Sequence, residues 1–132
     1  MNITIAQSSG FCFGVRRALD MARKESKDKN LTILGDLVHN PQVIQELKDR
    51  GIDIVDSLDK VKTDNLVITA HGIADSIKEK AKKKGHIIID TTCPLVQKIH
   101  DKVKELKDTG HKILVIGNKD HIEVKGFTKD LD

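Results

Sequence analysis

The strongest constraint on this chain is a junction that it repeats. The sequence reads Leu47-Lys-Asp-Arg-Gly51-Ile-Asp-Ile54, then Ala81-Lys-Lys-Lys-Gly85-His-Ile-Ile88, then Leu106-Lys-Asp-Thr-Gly110-His-Lys-Ile113. In each, a polar stretch of helical character closes on basic residues, which suit the negative end of a helix dipole. A glycine follows that can take a left-handed stop, and a β-branched run begins. Strands are predicted at Ile3–Ala6, Thr32–Leu34, Asp53–Val55, Leu66–Thr69, Ile87–Asp90 and Lys112–Ile116. Helices are predicted at Val15–Lys27, Pro41–Asp49, Asp75–Lys83 and Pro94–Asp108. Such alternation implies an α/β fold of βαβ units around a mainly parallel sheet. The repeat belongs to the βα unit and does not indicate a solenoid. The lysine clusters are read first as solvated helix ends and only second as an anion site. Segments 26–30 and 57–65 read as surface connections.

Composition narrows the function. Three Phe supply all the aromatic rings, so the core must come from Ile, Val, Leu and Ala, and little is left to stack on bases. A net charge of +3 from 23 basic and 20 acidic residues, well mixed along the chain, is no nucleic-acid footprint. The start of the chain lacks the pattern of a signal peptide, and the apolar runs are strand-sized, too short to cross a bilayer. The expectation is a soluble cytoplasmic protein without a membrane partner. Thiols stay reduced there, so Cys12 and Cys93 are not expected to form a structural disulfide. Buried residues, reactive thiols and metal ligands all remain open.

In an open parallel sheet, ligands gather beyond the carboxyl ends of the strands. The predicted strands place Cys12, His39, His71, Cys93 and His121 at that edge. His86 and His111 fall at the opposite edge, and His100 rides on a helix. Cys12 lies between glycines ahead of a helix, and a helix N-terminus favours the thiolate that metal ligation requires. Cys93 precedes Pro94, which suits a first helical residue and holds Cys93 extended, as a helix cap needs. His39 stands before Pro41 and His71 before another helix, where a ring nitrogen can donate to a phosphate oxygen. His121 and Glu123 are two apart, so an extended segment would present both on one side, able to pass protons to a substrate. The cysteines make neither a CxxC motif nor a zinc-finger pattern, and two are too few for a usual cluster shell. Spacing alone does not decide between these roles and structural ones.

Taken together, Gly10-Phe-Cys-Phe-Gly-Val15, Val38-His-Asn40, Ala70-His-Gly72, Asp90-Thr-Thr-Cys-Pro-Leu-Val96 and His121-Ile-Glu-Val124 resemble, in order, the signatures of the IspH/LytB family of 4-hydroxy-3-methylbut-2-enyl diphosphate reductases. The resemblance implies that Cys12 and Cys93 ligate an oxygen-sensitive [4Fe–4S] cluster with one open iron. It implies that His39 and His71 hold the diphosphate of an allylic substrate. His121 would lie beside that substrate, and Glu123 would supply the proton that leaves with the hydroxyl as water. The products would be isopentenyl and dimethylallyl diphosphates, and ferredoxin or flavodoxin would donate electrons. Chemistry of this kind belongs to the cluster, while the protein positions the substrate and feeds protons.

The family pattern has three cluster cysteines, of which this chain holds two, and three α/β lobes in a chain more than twice as long. By that pattern residues 1–12 form an N-terminal strand and cysteine loop, 13–93 a first lobe, and 94–132 the start of a second, truncated one. The stretch alone is then expected to have little or no reductase activity. Ile122 stands where the family usually has Pro, with no consequence expected for the chemistry. Competing readings are a non-catalytic phosphometabolite-binding module, a zinc protein using Cys12, Cys93 and histidine, and an α/β segment kept for oligomer formation.

Overall fold

The computed structural model describes residues 1–38 and 40–131. Its order is α1 (Phe13–Glu25), β1 (Leu31–Leu34), α2 (Pro41–Asp49), β2 (Asp53–Val55), β3 (Asn65–Ile68), α3 (Asp75–Lys83), β4 (Ile87–Asp90), α4 (Pro94–Asp108) and α5 (Ile122–Thr128), with a 3-10 turn at Leu58–Lys60. The four strands form one parallel sheet in the order β2-β1-β3-β4. The expected α/β class and parallel sheet are therefore present.

The glycine junctions close their helices as expected. Gly51, Gly85 and Gly110 all have φ between 76° and 89°. Their N–H groups bond to the carbonyls of Lys48, Lys82 and Lys107, and the next residue reaches back to Leu47, Ala81 and Leu106. This double bond pattern satisfies carbonyls that a helix end otherwise leaves open. At the other ends, Pro41 and Pro94 each open a helix, and the Asn40 side chain accepts from the N–H groups of Gln42 and Val43.

Side chains alternate across the two central strands. Leu31, Ile33 and Val67 join Ala18 and Leu19 of α1 and Leu47 of α2 on one face. Leu34, Leu66 and Ile68 meet Ala81 of α3 on the other. Both faces are thus covered, which is why β1 and β3 are mostly apolar, and buried on both sides, rather than alternating apolar and polar. Because β1 pairs with β2 on one side and β3 on the other, the chain changes direction between β1 and β3. That switch point opens a crevice beyond their carboxyl ends.

Three expectations need correction. Residues 3–6 form no strand, and Ile3 and Ile5 are exposed. Residues 112–116 likewise form no strand, with Leu114 and Ile116 almost fully solvated. Both have strand-like composition, but neither finds a sheet edge to pair with among the described residues. The third concerns His121 and Glu123, which lie in no extended segment. Asn118 makes a turn, its side chain accepting from the Asp120 N–H and its carbonyl from the His121 N–H. His121 then caps α5, its Nδ1 accepting from the Glu123 N–H at 3.3 Å. A smaller difference is that α1 starts two residues earlier than Val15, because Cys12 is already its cap.

Candidate active site

Cys12 and Cys93 occupy equivalent places in two different helices. Each is an N-cap in extended conformation, Cys12 for α1 and Cys93 for α4, and neither side chain is used in a capping hydrogen bond. The two caps are brought together by Gly14, which is buried in the first turn of α1. A Cβ on Gly14 would stand 2.6 Å from Cys93 Sγ and 2.8 Å from its Cβ. The Cys93 thiol therefore lies in a hollow that exists only because residue 14 has no side chain. Both cysteines are free thiols, Cys12 exposed and Cys93 half-buried.

The loop that delivers Cys93 is fully bonded to the sheet. Thr91 donates its N–H and hydroxyl to the Ile68 carbonyl, and the Cys93 N–H reaches the Ala70 carbonyl at 2.9 Å. The Asp90 carboxylate accepts from the N–H and hydroxyl of Thr92 and pairs with Lys78 at 2.8 Å. Burial pushes the Asp90 carboxyl upward, but its bonds from Lys78 and Thr92 outweigh this and hold it below the usual carboxylate range.

A second cluster forms where α5 crosses the crevice. Ile122 approaches Gly35 at the end of β1. Glu123, in the first turn of α5, brings Oε1 to 3.1 Å from His71 Nδ1. The expected shared face of His121 and Glu123 is thus replaced by a different pairing. Glu123 meets the ring of His71, while the ring of His121 turns back to cap its own helix. His71 lies three residues ahead of the α3 cap, Ala74, rather than on it. His39 lies outside the described residues. His86 bonds the Thr63 carbonyl and His111 the Thr109 hydroxyl, both in structural contacts away from this site.

Two participants were not evident from the sequence. The first is His100 of α4, whose ring packs against Gly72, the residue after His71, and against Gly126 of α5. A Cβ on Gly72 would stand 3.0 Å from its Nε2, and a Cβ on Gly126 would stand 3.4 Å away. Phe127 packs edge-on against the same ring at 5.9 Å. The His100 Nε2 is buried without a hydrogen-bond partner among the described residues. Burial, with nearby Lys78, holds this imidazole below its ordinary value. The second is Arg17, which donates to the carbonyls of Thr91 and Thr92. Only its position one turn after Gly14 on the same helix face hinted at this contact.

A model of the LytB protein family matches residues 3–131. The chain belongs to that family. It is 42% identical over 132 residues to the 4-hydroxy-3-methylbut-2-enyl diphosphate reductase of Caldanaerobacter subterraneus subsp. tengcongensis, covering 96% of this chain and 46% of that protein. With the enzyme of the same name from Clostridioides difficile, identity is 43% over 130 residues, covering 96% and 47%. Among solved structures, the E-1-hydroxy-2-methyl-but-2-enyl-4-diphosphate reductase of Plasmodium falciparum superposes with a TM-score of 0.85 at 37% identity, over 92% of this chain and 39% of that one. A structure of (E)-4-hydroxy-3-methyl-but-2-enyl diphosphate reductase, described as the terminal enzyme of the non-mevalonate pathway, gives 0.82 at 36% identity, over 98% and 48%. The chain thus spans about half the length of the curated relatives it matches.

The donor set can be weighed against the cofactor that this family resemblance implied. Two soft thiols at adjoining helix N-termini, one in a hollow cut for it, suit two positions of a thiolate-ligated cluster. They do not complete one. Among the described residues no group of three or more His, Cys, Asp or Glu side chains could hold a metal ion. No described helix is long and apolar enough to cross a membrane.

Proposed function

We propose that this chain supplies two thiolate ligands and the proton-handling cluster of a 4-hydroxy-3-methylbut-2-enyl diphosphate reductase. The observation that carries the reading is the Cys12–Gly14–Cys93 junction, found in a chain similar to reductases of that name over 96% of its length. Cys12 and Cys93 would hold a [4Fe–4S] cluster, and a third thiolate would come from sequence outside this chain. When bound, such a cluster would relay the reaction's two electrons, one at a time, from an external donor to the substrate. The overall change takes up two electrons and two protons, breaks the allylic C–O bond and releases water, giving isopentenyl and dimethylallyl diphosphates.

In this reading the chain's own residues bind substrate and handle protons, with His39 and His71 holding the diphosphate. Glu123 Oε1 lies 3.1 Å from His71 Nδ1, so a single hydrogen bond links the diphosphate-binding ring to the carboxyl that would deliver a proton to the departing hydroxyl. His121 at the start of α5 would lie beside the substrate. Residues 13–93 form a first lobe, with residues from 94 onward opening a second; all four strands lie within the first. Ferredoxin or flavodoxin would be the electron donor, and the cytoplasm the compartment.

The test is anaerobic reconstitution with iron and sulfide, performed on this chain and on a form extended to the full length of its relatives. Uptake of iron and sulfide by the extended form alone, abolished by Cys93→Ser, supports the reading. Glu123→Gln should keep the cluster and the diphosphate affinity while turnover falls by about 10²-fold or more, the usual contribution of a positioned acid. Retention of iron by Cys12→Ser and Cys93→Ser alike would sink the ligand assignment.

A further inference from the structure

Arg17 and Gly14 project from the same face of α1, one helical turn apart. Gly14 receives the Cys93 thiol, and Arg17 Nη1 reaches the carbonyls of Thr91 at 3.4 Å and Thr92 at 3.2 Å. Those two residues lead directly into Cys93. The loop's other hydrogen bonds run to the carbonyls of Ile68 and Ala70 and to Asp90 on the sheet side, and from the Gln97 N–H to the Cys93 carbonyl where α4 begins. Among the described residues, the hydrogen bonds joining this loop to α1 are both Arg17's. The sheet therefore fixes the Cys93 loop relative to β3, while Arg17 fixes it relative to the helix that Cys12 caps.

We propose that Arg17 is a positioning residue for the two-thiol site, setting the spacing and direction of Cys93 relative to Cys12. This rests on the reading of both cysteines as ligands of one bound group. The chemistry favours arginine over lysine at this place. Nη1 alone faces both carbonyls, and the planar guanidinium holds its two hydrogens in fixed directions, whereas the hydrogens of an ammonium rotate on a flexible stem. Because both acceptors are backbone atoms, the clamp is indifferent to which side chains stand at positions 91 and 92. It acts on the path of the chain itself.

The test uses the reduced, metal-free 132-residue chain and a bifunctional thiol reagent, dibromobimane, which fluoresces strongly once it has linked two neighbouring thiols. The rate of cross-linking is divided by the rate at which each thiol reacts with monobromobimane, measured in the Cys12→Ser and Cys93→Ser variants. Arg17→Met keeps the apolar stem and loses the donors. Its cross-linking ratio should fall roughly tenfold, the effect of losing a charge-assisted hydrogen bond from the aligned loop. Arg17→Lys should recover part of the ratio, and Arg16→Met, at an exposed neighbouring position, should leave it unchanged. A thermal melt alongside identifies any variant that has simply unfolded, in which case Arg17→Lys alone carries the comparison. Cross-linking of Arg17→Met at the parent rate overturns the proposal, as does a parent chain that is alkylated but never cross-linked. If the ratio falls as expected while the extended protein takes up iron without Cys93, positioning stands and the ligand reading fails.

Discussion

Replacing Gly14 with alanine puts the closest approach at the site to a direct test. The new Cβ would meet Cys93 Sγ at 2.6 Å and Cys93 Cβ at 2.8 Å. The sulfur contact alone could be relieved by rotating the thiol about its Cα–Cβ bond. The contact with Cβ cannot, because that atom moves only with the backbone. Either α1 or the loop ahead of α4 must shift, and overpacking of this kind typically costs about 1–3 kcal/mol. Against it stands the better helix propensity of alanine, worth up to about 1 kcal/mol in a helix interior. The net expectation is a loss of about 1–2 kcal/mol. With a urea dependence of roughly 1–3 kcal/mol per molar for small proteins, the unfolding midpoint should drop by about 0.5–1 M. Gly117→Ala is the control, since its nearest neighbour would be Val124 at 4.0 Å; its effect should stay within about 0.5 kcal/mol. The double variant Gly14→Ala/Cys93→Ala sharpens the comparison by removing the sulfur and keeping the Cβ contact, so stability should return only in part. A Gly14→Ala chain as stable as the parent, or complete rescue by Cys93→Ala, would refute the close approach.

Three further outcomes are expected. Stability should fall in two stages as pH is lowered. His100 binds its proton more weakly folded than unfolded, so its contribution is complete above the ordinary histidine value of 6.5 and is lost as pH drops through the lower folded value. Asp90 and Glu46, also depressed, keep theirs until pH falls through the carboxylate range. In urea midpoints measured from pH 8 to 3, His100→Phe should abolish the upper stage only; persistence of that stage would assign it elsewhere. Thr69 is fully buried with its hydroxyl unpaired among the described residues, so Thr69→Val should be neutral or stabilising by about 1 kcal/mol in the same assay, and a loss above that would reveal a hidden partner. Ile33→Ala, at the centre of the sheet, should cost about 2–5 kcal/mol by calorimetry, and a loss under 1 kcal/mol would displace Ile33 from the core.

Much of the fold was legible because its punctuation is chemical. The bounds of α2, α3 and α4 follow from Pro41, Pro94 and the three glycine stops, residues whose backbone limits act locally. The strand patterns at 3–6 and 112–116 misled for the opposite reason: a strand needs a partner, and composition says nothing about where one is. Helix α5 was missed because Ile122-Glu-Val-Lys125 alternates like a strand and Gly126 breaks the helical pattern. That glycine is explained only by the ring of His100 against it, a contact between distant segments. Site residues were legible as types at loop positions. Their pairing was not, since the His71–Glu123 bond depends on where α5 lands across the crevice.

The Cys12–Cys93 junction also has a consequence for the order of assembly. Cys12 caps the first helix and Cys93 the fourth, so all four strands of the sheet are synthesised between them. The hollow at Gly14 cannot receive its thiol until β4 has joined β3 and drawn the following loop against Ile68 and Ala70. During synthesis, which proceeds from the N-terminus, Cys12 must wait with its site unformed. A group that needs both thiols in this arrangement is therefore offered them only once the sheet is finished, which places the completed junction at the end of folding of this region rather than at its beginning.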